Sequence, residues 1–186
     1  VMPLNDGKAA ALAELATGHL QGVTNGAALV LGSGLGGGFI INGKLFQGSH
    51  FQAGELTFLL PVQMEKVDPS LMRGMTLSAV GLITEVNEVL GNSDLKDGLA
   101  AFKAINAGDK TVYSLFESYC RNLAITILNL QTIFDVETFV IGGGISAQPI
   151  LIEEVNRQFD KVHHEIDFIG KIIKRPQIVA CHHHNG

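Results

Sequence analysis

Little of the sequence is cysteine: two in 186 residues, Cys120 and Cys181. That is too few for a disulfide framework and suits a reducing cytoplasm. No apolar run approaches the roughly 20 residues needed to span a bilayer. The opening residues show no signal-peptide pattern. Basic residues are scarce and scattered, with Lys8, Lys44, Lys66 and Lys96 far apart and a net charge of −5. A broad nucleic-acid footprint is therefore not expected, and neither is a membrane role. Internal repeats, low-complexity tracts and interdomain linkers are missing too.

What is present in excess is glycine, 22 residues, and the densest run is Gly32-Ser33-Gly34-Leu35-Gly36-Gly37-Gly38. It is expected to be a loop between the strands Ala27–Leu31 and Phe39–Ile41. A loop of this kind lets backbone N–H groups approach an anion with no Cβ in the way. The spacing Gly32-x-Gly34-x-x-Gly37 fits a dinucleotide-binding fingerprint, but that fingerprint must open a helix. Here Phe39-Ile40-Ile41-Asn42-Gly43-Lys44-Leu45-Phe46 follows, and Asn-Gly between apolar runs predicts a hairpin. A Walker loop fails as well, for want of a closing Gly-Lys-Ser/Thr. The reading that remains is a hairpin-borne phosphate loop of the kind used by actin- and hexokinase-like ATPases; the plain alternative is a glycine-rich β-turn.

The 46% hydrophobic content suits one globular domain with a sizeable core. Asn5 or Asp6 can cap a helix through Ala9 to Leu20. Gly22 to Gly26 forms a turn before Ala27–Leu31, Phe39–Ile41 and Lys44–Phe46. Gly48 to Glu55 reads as a loop, Leu56 to Val62 as an extended piece, and Met64 to Gly74 as polar and irregular. Helical spacing then runs through Leu77, Val80, Ile83, Val86 and Leu90. It continues through Leu99, Phe102 and Ile105 with Gly108 as a stop, and through Val112 to Phe134 as one long stripe serving the core or a dimer interface. A buried strand Thr138–Ile141 ends in Gly142-Gly143-Gly144. Pro149 opens a helix carrying Ile152, Val155, Phe159 and Val162, and Gln177–Cys181 is a last strand. Three strands in an antiparallel meander, followed by helical crossovers to parallel strands, predict an α/β, ribonuclease-H-like half of an actin-type fold.

Several groups can carry chemistry. A transferase acting on a hydroxyl needs a carboxylate to orient it and accept its proton. Asp6 at a helix start is placed for that, although an Asp there is also a common N-cap. Glu55 lies in a loop, where it either binds hydroxyls or is merely solvated. Gly142-Gly143-Gly144 sits where α/β sheets place ligands, or is a tight turn. His182-His183-His184 cannot all face one ion from an extended strand, because neighbours alternate sides. His163 and His164 are expected on a solvated helix flank. His50 lies near the glycine loop. Tyr113, Phe116 and Tyr119 read as core or interface.

Taken in order, these pieces resemble the ROK family of bacterial sugar kinases and sugar-responsive repressors. Pro3-Leu4-Asn5-Asp6-Gly7-Lys8-Ala9-Ala10-Ala11-Leu12-Ala13-Glu14 resembles the family's Asn-Asp segment. Leu31 to Gly38 resembles its second phosphate loop, with Ser33 where Thr is usual. Asn42 to Gly48 and Ala53-Gly54-Glu55 follow in order, and Phe134 to Ser146 resembles the nucleotide-side strand and loop. The resemblance implies that Asp6 is the base acting on a sugar 6-hydroxyl and that Asn5 and Glu55 hold sugar hydroxyls. It implies that Ser33, Gly34, Gly36 and Gly37 lie near the ATP phosphates and that Gly143 and Gly144 lie beside the nucleoside. ATP with Mg2+, a hexose-type sugar and a homodimer are the implied cofactors and partners, in the cytoplasm.

The departures from the family are also specific. Where the family continues its Glu as Glu-x-Gly-His, this chain reads Glu55-Leu56-Thr57-Phe58, and Gln63 to Ser78 holds no cysteine for a zinc motif. A zinc-free branch, similar to β-glucoside kinases, is the expectation. A further sugar-contacting Glu is missing near Gly74 and Met75. The family's first phosphate loop, of Asp-Gly-Gly-Thr type, does not occur, so the 186 residues are expected to be the larger C-terminal domain of a two-domain kinase, cut at both ends and inactive alone. Other readings of the same residues are a repressor with an N-terminal winged helix and a non-catalytic sugar-binding or oligomerisation module.

Overall fold

The computed structural model describes residues 5–60, 66–165 and 168–183. Parts of the stretches Leu56–Val62 and Met64–Gly74, and Pro3, Leu4 and His184, therefore lie outside the described residues.

The chain opens with α1 (Asp6–Thr17), capped by Asn5, whose Oδ1 accepts the Lys8 backbone N–H. Strands β1 (Gly26–Leu31) and β2 (Leu35–Ile41) pair antiparallel, and β3 (Lys44–Phe46) adds to β2 through the expected hairpin. Both hairpin residues take positive φ, 54° at Asn42 and 71° at Gly43, as a two-residue turn of this twist requires. Two single turns of 3-10 helix follow, Leu56–Phe58 and Pro69–Leu71, and then α2 (Arg73–Thr76). Helices α3 (Ala79–Leu90), α4 (Gly98–Ala107) and α5 (Lys110–Phe134) come next. Each has a side-chain N-cap, from Ser78, Asp97 and Asp109 in turn. Left-handed Gly91 and Gly108 end α3 and α4. The chain closes with β4 (Thr138–Gly142), α6 (Pro149–Glu165), α7 (Ile169–Ile172) and β5 (Gln177–Ala180).

The sheet order is β3-β2-β1-β4-β5, with β1, β4 and β5 parallel. Its strands alternate between two apolar layers. Leu29, Phe39, Phe139 and Ile141 pack with Phe116, Leu123 and Ile127 of α5 and with Val155 and Phe159 of α6. Ala28, Ile40 and Val140 face the other way, onto Ala10 and Ala11 of α1. The α5 stripe is thus core for most of its length, Phe116 and Tyr119 included, and only near its end does Ile133 stand exposed.

Three expectations change. The glycine run is not all loop: only Gly32-Ser33-Gly34 forms the turn, and β2 begins at Leu35, so Gly36, Gly37 and Gly38 pair with Val30, Leu29 and Ala28. Their lack of side chains serves packing. A Cβ on Gly38 would lie 2.2 Å from the Gly7 carbonyl oxygen and 2.8 Å from the Ala11 Cβ. Leu56–Phe58 is a helical turn rather than an extended piece, closed by Leu59 N–H on the Leu56 carbonyl. His163 is buried, not solvated: its Nε2–H donates to the Ile173 carbonyl at 2.7 Å and its ring stacks on Phe159.

Gly38→Ala is expected to destabilise the domain by about 2–3 kcal/mol through overpacking. Gly32→Ala, whose Cβ would meet nothing within 4 Å, should stay within about 0.5 kcal/mol. Urea unfolding midpoints compare the two; equal midpoints would contradict the packing role.

Candidate active site at the carboxyl ends of the parallel strands

Because β1 and β4 run parallel, with Val30 opposite Gly142, the two glycine segments that follow them emerge side by side. Gly143 takes φ +99°, and a Cβ there would sit 2.0 Å from the Leu31 carbonyl oxygen. Only glycine permits that approach. Gly32 and Gly144 face open space instead, with nothing within 4 Å of where a Cβ on either would lie. Both line a cavity of about 460 Å³.

Helix starts surround this cavity. Ala79 and Val80 of α3, Gly98 and Leu99 of α4, and Gln148 just before α6 all line it. The turn itself is docked on α3, whose Ala79 N–H donates to the Gly32 carbonyl at 2.8 Å. Helix N-termini carry partial positive charge and Lys96 lines the same cavity, both of which favour an anion; Asp94 and Asp97 line it too, Asp97 being engaged as the cap of α4. The apolar part of the lining includes Val80, Ile83, Leu99, Phe102 and Ile145. Leu99 is 82% exposed, so its side chain is open to being covered by a ring. A glycine rim, helix starts and an apolar wall together suit a nucleoside polyphosphate.

The second half of the site is built on the other side of the glycine turn. Asn5 caps α1 and so releases Asp6 from that duty, and Asp6 stands exposed at the first helical position. Asn5 Nδ2 donates to Glu55 Oε1 at 2.6 Å, which joins the two expected sugar ligands. Their meeting depends on backbone contact. A Cβ on Gly7 would fall 2.4 Å from the Gly37 nitrogen, and one on Gly54 would fall 2.1 Å from the Gly37 carbonyl oxygen. Gly37 N–H donates to the Gly54 carbonyl at 2.8 Å. The start of α1 and the loop carrying Glu55 thus both rest on Gly37. Gly36 lies next to them, its would-be Cβ 3.4 Å from the Gly7 nitrogen.

Sequence reasoning missed a residue that joins the two halves. Thr57 Oγ1 accepts the Leu35 N–H and donates to the Leu35 carbonyl, both at 3.1 Å. It fastens the turn after Glu55 to the strand start after the glycine turn. Gly34 and Gly74 both pack against it, with would-be Cβ atoms 2.8 Å from Oγ1 and 2.5 Å from Cγ2. The apolar wall was missed as well, because Val80, Ile83 and Phe102 have the spacing of ordinary core residues.

Other groups stand apart from this site. Cys181 lies beside Gly142; burial, with Glu14 close by, pushes its thiol up to about 12, so it stays protonated at neutral pH. His183 is tied to α1, its backbone N–H on Glu14 Oε1 at 3.1 Å and its Nε2 2.7 Å from Thr17 Oγ1. Among the described residues no group of three or more His, Cys, Asp and Glu is arranged to hold a metal. The residues the resemblance associates with zinc do not fit one here: Phe58 stands where the family's His would, and no cysteine follows up to Ser78.

The ROK family model matches residues 1–168. The chain belongs to the ROK family. It is 28% identical over 190 residues to the N-acetyl-D-glucosamine kinase of Vibrio vulnificus, covering 96% of this chain and 61% of that one. It is 28% identical over 158 residues to the beta-glucoside kinase of Listeria monocytogenes, covering 84% and 54%. Among solved structures, a ROK family protein from Streptococcus pneumoniae TIGR4 in complex with sucrose superposes with a TM-score of 0.80 at 29% identity, covering 96% of this chain and 59% of that one. The architecture is accordingly the ribonuclease-H-like half of an actin-type ATPase fold. The chain spans between 54% and 61% of the length of these relatives.

Thr57→Val leaves the Leu35 N–H and carbonyl without their partner, and is expected to cost about 1–3 kcal/mol. Thr57→Ser should recover most of it. Denaturant titration of the three proteins provides the comparison, and a Val variant as stable as the parent would remove the clasp from the argument.

Proposed function

We propose that this chain is the larger, C-terminal domain of a two-domain ROK sugar kinase, which transfers the γ-phosphoryl group of ATP to a primary hydroxyl of a hexose or hexose derivative. One observation carries the reading. The Asn5–Glu55 pair and the exposed Asp6 sit over β2 immediately past a glycine turn, and that turn opens into a cavity ringed by helix starts. A hydroxyl acceptor and a polyphosphate donor would thus meet across one short stretch of backbone. The named relatives phosphorylate sugars by their names, N-acetyl-D-glucosamine in one and β-glucosides in another, which supports a hexose-type acceptor.

The residues present fit a nucleotide through the open faces of Gly32 and Gly144 and the apolar wall beyond them. Bound there, ATP would supply the phosphoryl group, with Mg2+ carried on its phosphates to neutralise their charge. Ser33 and Gly34 would face the phosphates. Gly36 and Gly37 would keep the strand beneath them thin enough for α1 to seat Asp6 within reach. Gly143 and Gly144 would flank the nucleoside. Asn5 and Glu55 would hold sugar hydroxyls, each through the lone pairs and protons their mutual bond leaves unused. The Asp6 carboxylate would accept the hydroxyl proton as the sugar oxygen bonded to phosphorus and the bond to the leaving ADP oxygen broke.

The relatives are longer than this chain, and we place their remaining part opposite this wall as the other side of a closing cleft. Closure would exclude water that otherwise competes for the phosphoryl group. We further propose a homodimer acting in the cytoplasm. Exposed apolar side chains at Phe58, Val67 and Met75 support the first, and two buried free cysteines support the second.

In the full-length protein, Asp6→Asn is expected to lower kcat by about 10²-fold or more, with little change in sugar affinity. A coupled ADP-release assay with glucose, N-acetylglucosamine and cellobiose measures it. The 186-residue chain alone should give no turnover in the same assay. Full activity of the Asn variant would reject Asp6 as the base, and turnover by the isolated chain would reject the two-domain requirement.

A further inference from the structure

Lys8 is in an unfavourable place for a lysine. It lies in the first turn of α1, where the helix dipole disfavours a cation. It is also buried, at 5% exposure, where an ammonium loses its hydration. Among the described residues no carboxylate comes within ion-pair range of it. Its recorded side-chain partner is a backbone group: Nζ donates to the Phe51 carbonyl.

Phe51 is the second unusual feature, independent of the first. Its φ is +59°, the left-handed region, where a residue with a Cβ is strained. Its side chain is 54% exposed, so burial of the ring does not explain that backbone. The acceptor of the Lys8 hydrogen bond is the carbonyl of this same strained residue. The loop from Gly48 to Glu55 is therefore tied to the first turn of α1 twice, by Lys8 to Phe51 and by Asn5 to Glu55.

We propose that Lys8 is a positioning residue for the sugar site: it holds the Gly48–Glu55 loop in its left-handed bend at Phe51 and thereby presents Glu55 to Asn5 and to the sugar. This rests on the kinase reading of Asn5, Asp6 and Glu55. Without the tether Phe51 relaxes to negative φ and the peptide planes on either side turn; the backbone stays on Gly37 through Gly54, but the Glu55 side chain swings away from Asn5. The glycine turn is held separately, by Thr57 on Leu35 and by Ala79 on Gly32. The loss should therefore fall on the sugar and spare the nucleotide.

The test uses the full-length protein with glucose, N-acetylglucosamine and cellobiose as acceptors. Lys8→Met keeps the length of the stem and removes the donor. It is expected to raise the sugar KM about tenfold, equivalent to about 1.4 kcal/mol, with the ATP KM within about twofold. Lys8→Arg, which keeps a donor, should restore most of the loss. Adding Phe51→Asn to Lys8→Met should also restore much of it, because Asn adopts the left-handed region readily. An unchanged sugar KM, an equal rise in both KM values, or no recovery with Phe51→Asn would overturn the proposal. So would a Lys8→Met protein recovered only unfolded in either background, since Lys8 would then serve the fold. If the parent protein phosphorylates none of the sugars, the kinase reading fails by itself. Hydrogen exchange of the amides from Ser49 to Glu55 then decides the tether: faster exchange in Lys8→Met upholds it, and unchanged exchange overturns it.

Discussion

Backbone contact between glycines holds the candidate site together. Gly7 in α1, Gly37 in β2 and Gly54 in the loop before Glu55 approach so closely that a single methyl on Gly7 or Gly54 would overlap Gly37 atoms at 2.4 Å or less. The approach brings a helix start and a loop, far apart in sequence, onto one residue of one strand. The Asn5–Glu55 hydrogen bond of 2.6 Å requires it, since neither side chain is long enough to span a gap between more distant backbones. Dispersion and hydrogen bonding at such contacts are individually small. Their effect here is geometric: they fix where polar side chains with little packing of their own must stand.

The parallel pairing of β1 with β4 supplies the other half of the geometry. Parallel strands place their carboxyl ends at one edge of the sheet, and the crossover helices begin there. Helix starts therefore gather beside the two glycine segments as a consequence of the topology. Helix starts can favour an anion without a basic cluster, in a chain whose net charge is −5. The glycines differ in their work even so. Gly143 packs against the Leu31 carbonyl, while Gly32 and Gly144 leave room. A run of glycines in a sequence can thus mix positions that admit a ligand with positions that admit only the rest of the protein.

That mixture limits what sequence could reveal. The hairpin at Asn42-Gly43 was legible because positive φ at two adjacent residues demands those types. The helices were legible from apolar spacing, with Asn5 or Asp6 at the first start and Pro149 at that of α6, whereas the caps Ser78, Asp97 and Asp109 emerged only in the structure. The beginning of β2 at Leu35 was not, because Gly36 to Gly38 have no side chains from which alternation could be read. His163 looked solvated beside His164, yet its partner, the Ile173 carbonyl, comes from a later turn that spacing does not predict. Leu99 and Phe102 share a helical stripe, but one is 82% exposed at the cavity rim and the other is buried at its back. Spacing identifies a stripe; it does not say which end of the stripe meets a partner and which meets an open cleft.

Thr57 shows how a change at one position can alter what holds a segment. Residues Glu55 to Phe58 follow the family's Glu-x-Gly-His pattern with Thr for Gly and Phe for His. The family's version brings a His towards zinc. Here the Thr hydroxyl closes a two-way hydrogen bond with Leu35, and Gly34 and Gly74 are packed too tightly on Thr57 to tolerate a side chain. The Arg73 N–H adds a bond to the Leu59 carbonyl at 2.8 Å. The described parts of this stretch are thus fastened to the start of β2 by a hydroxyl and by close backbone packing. A fastening of this kind depends on neither thiol chemistry nor metal supply. It also places the backbone of Glu55 only two residues from a side chain bonded to the start of β2, so the backbone that carries this carboxylate is referred to the same strand as the glycine turn.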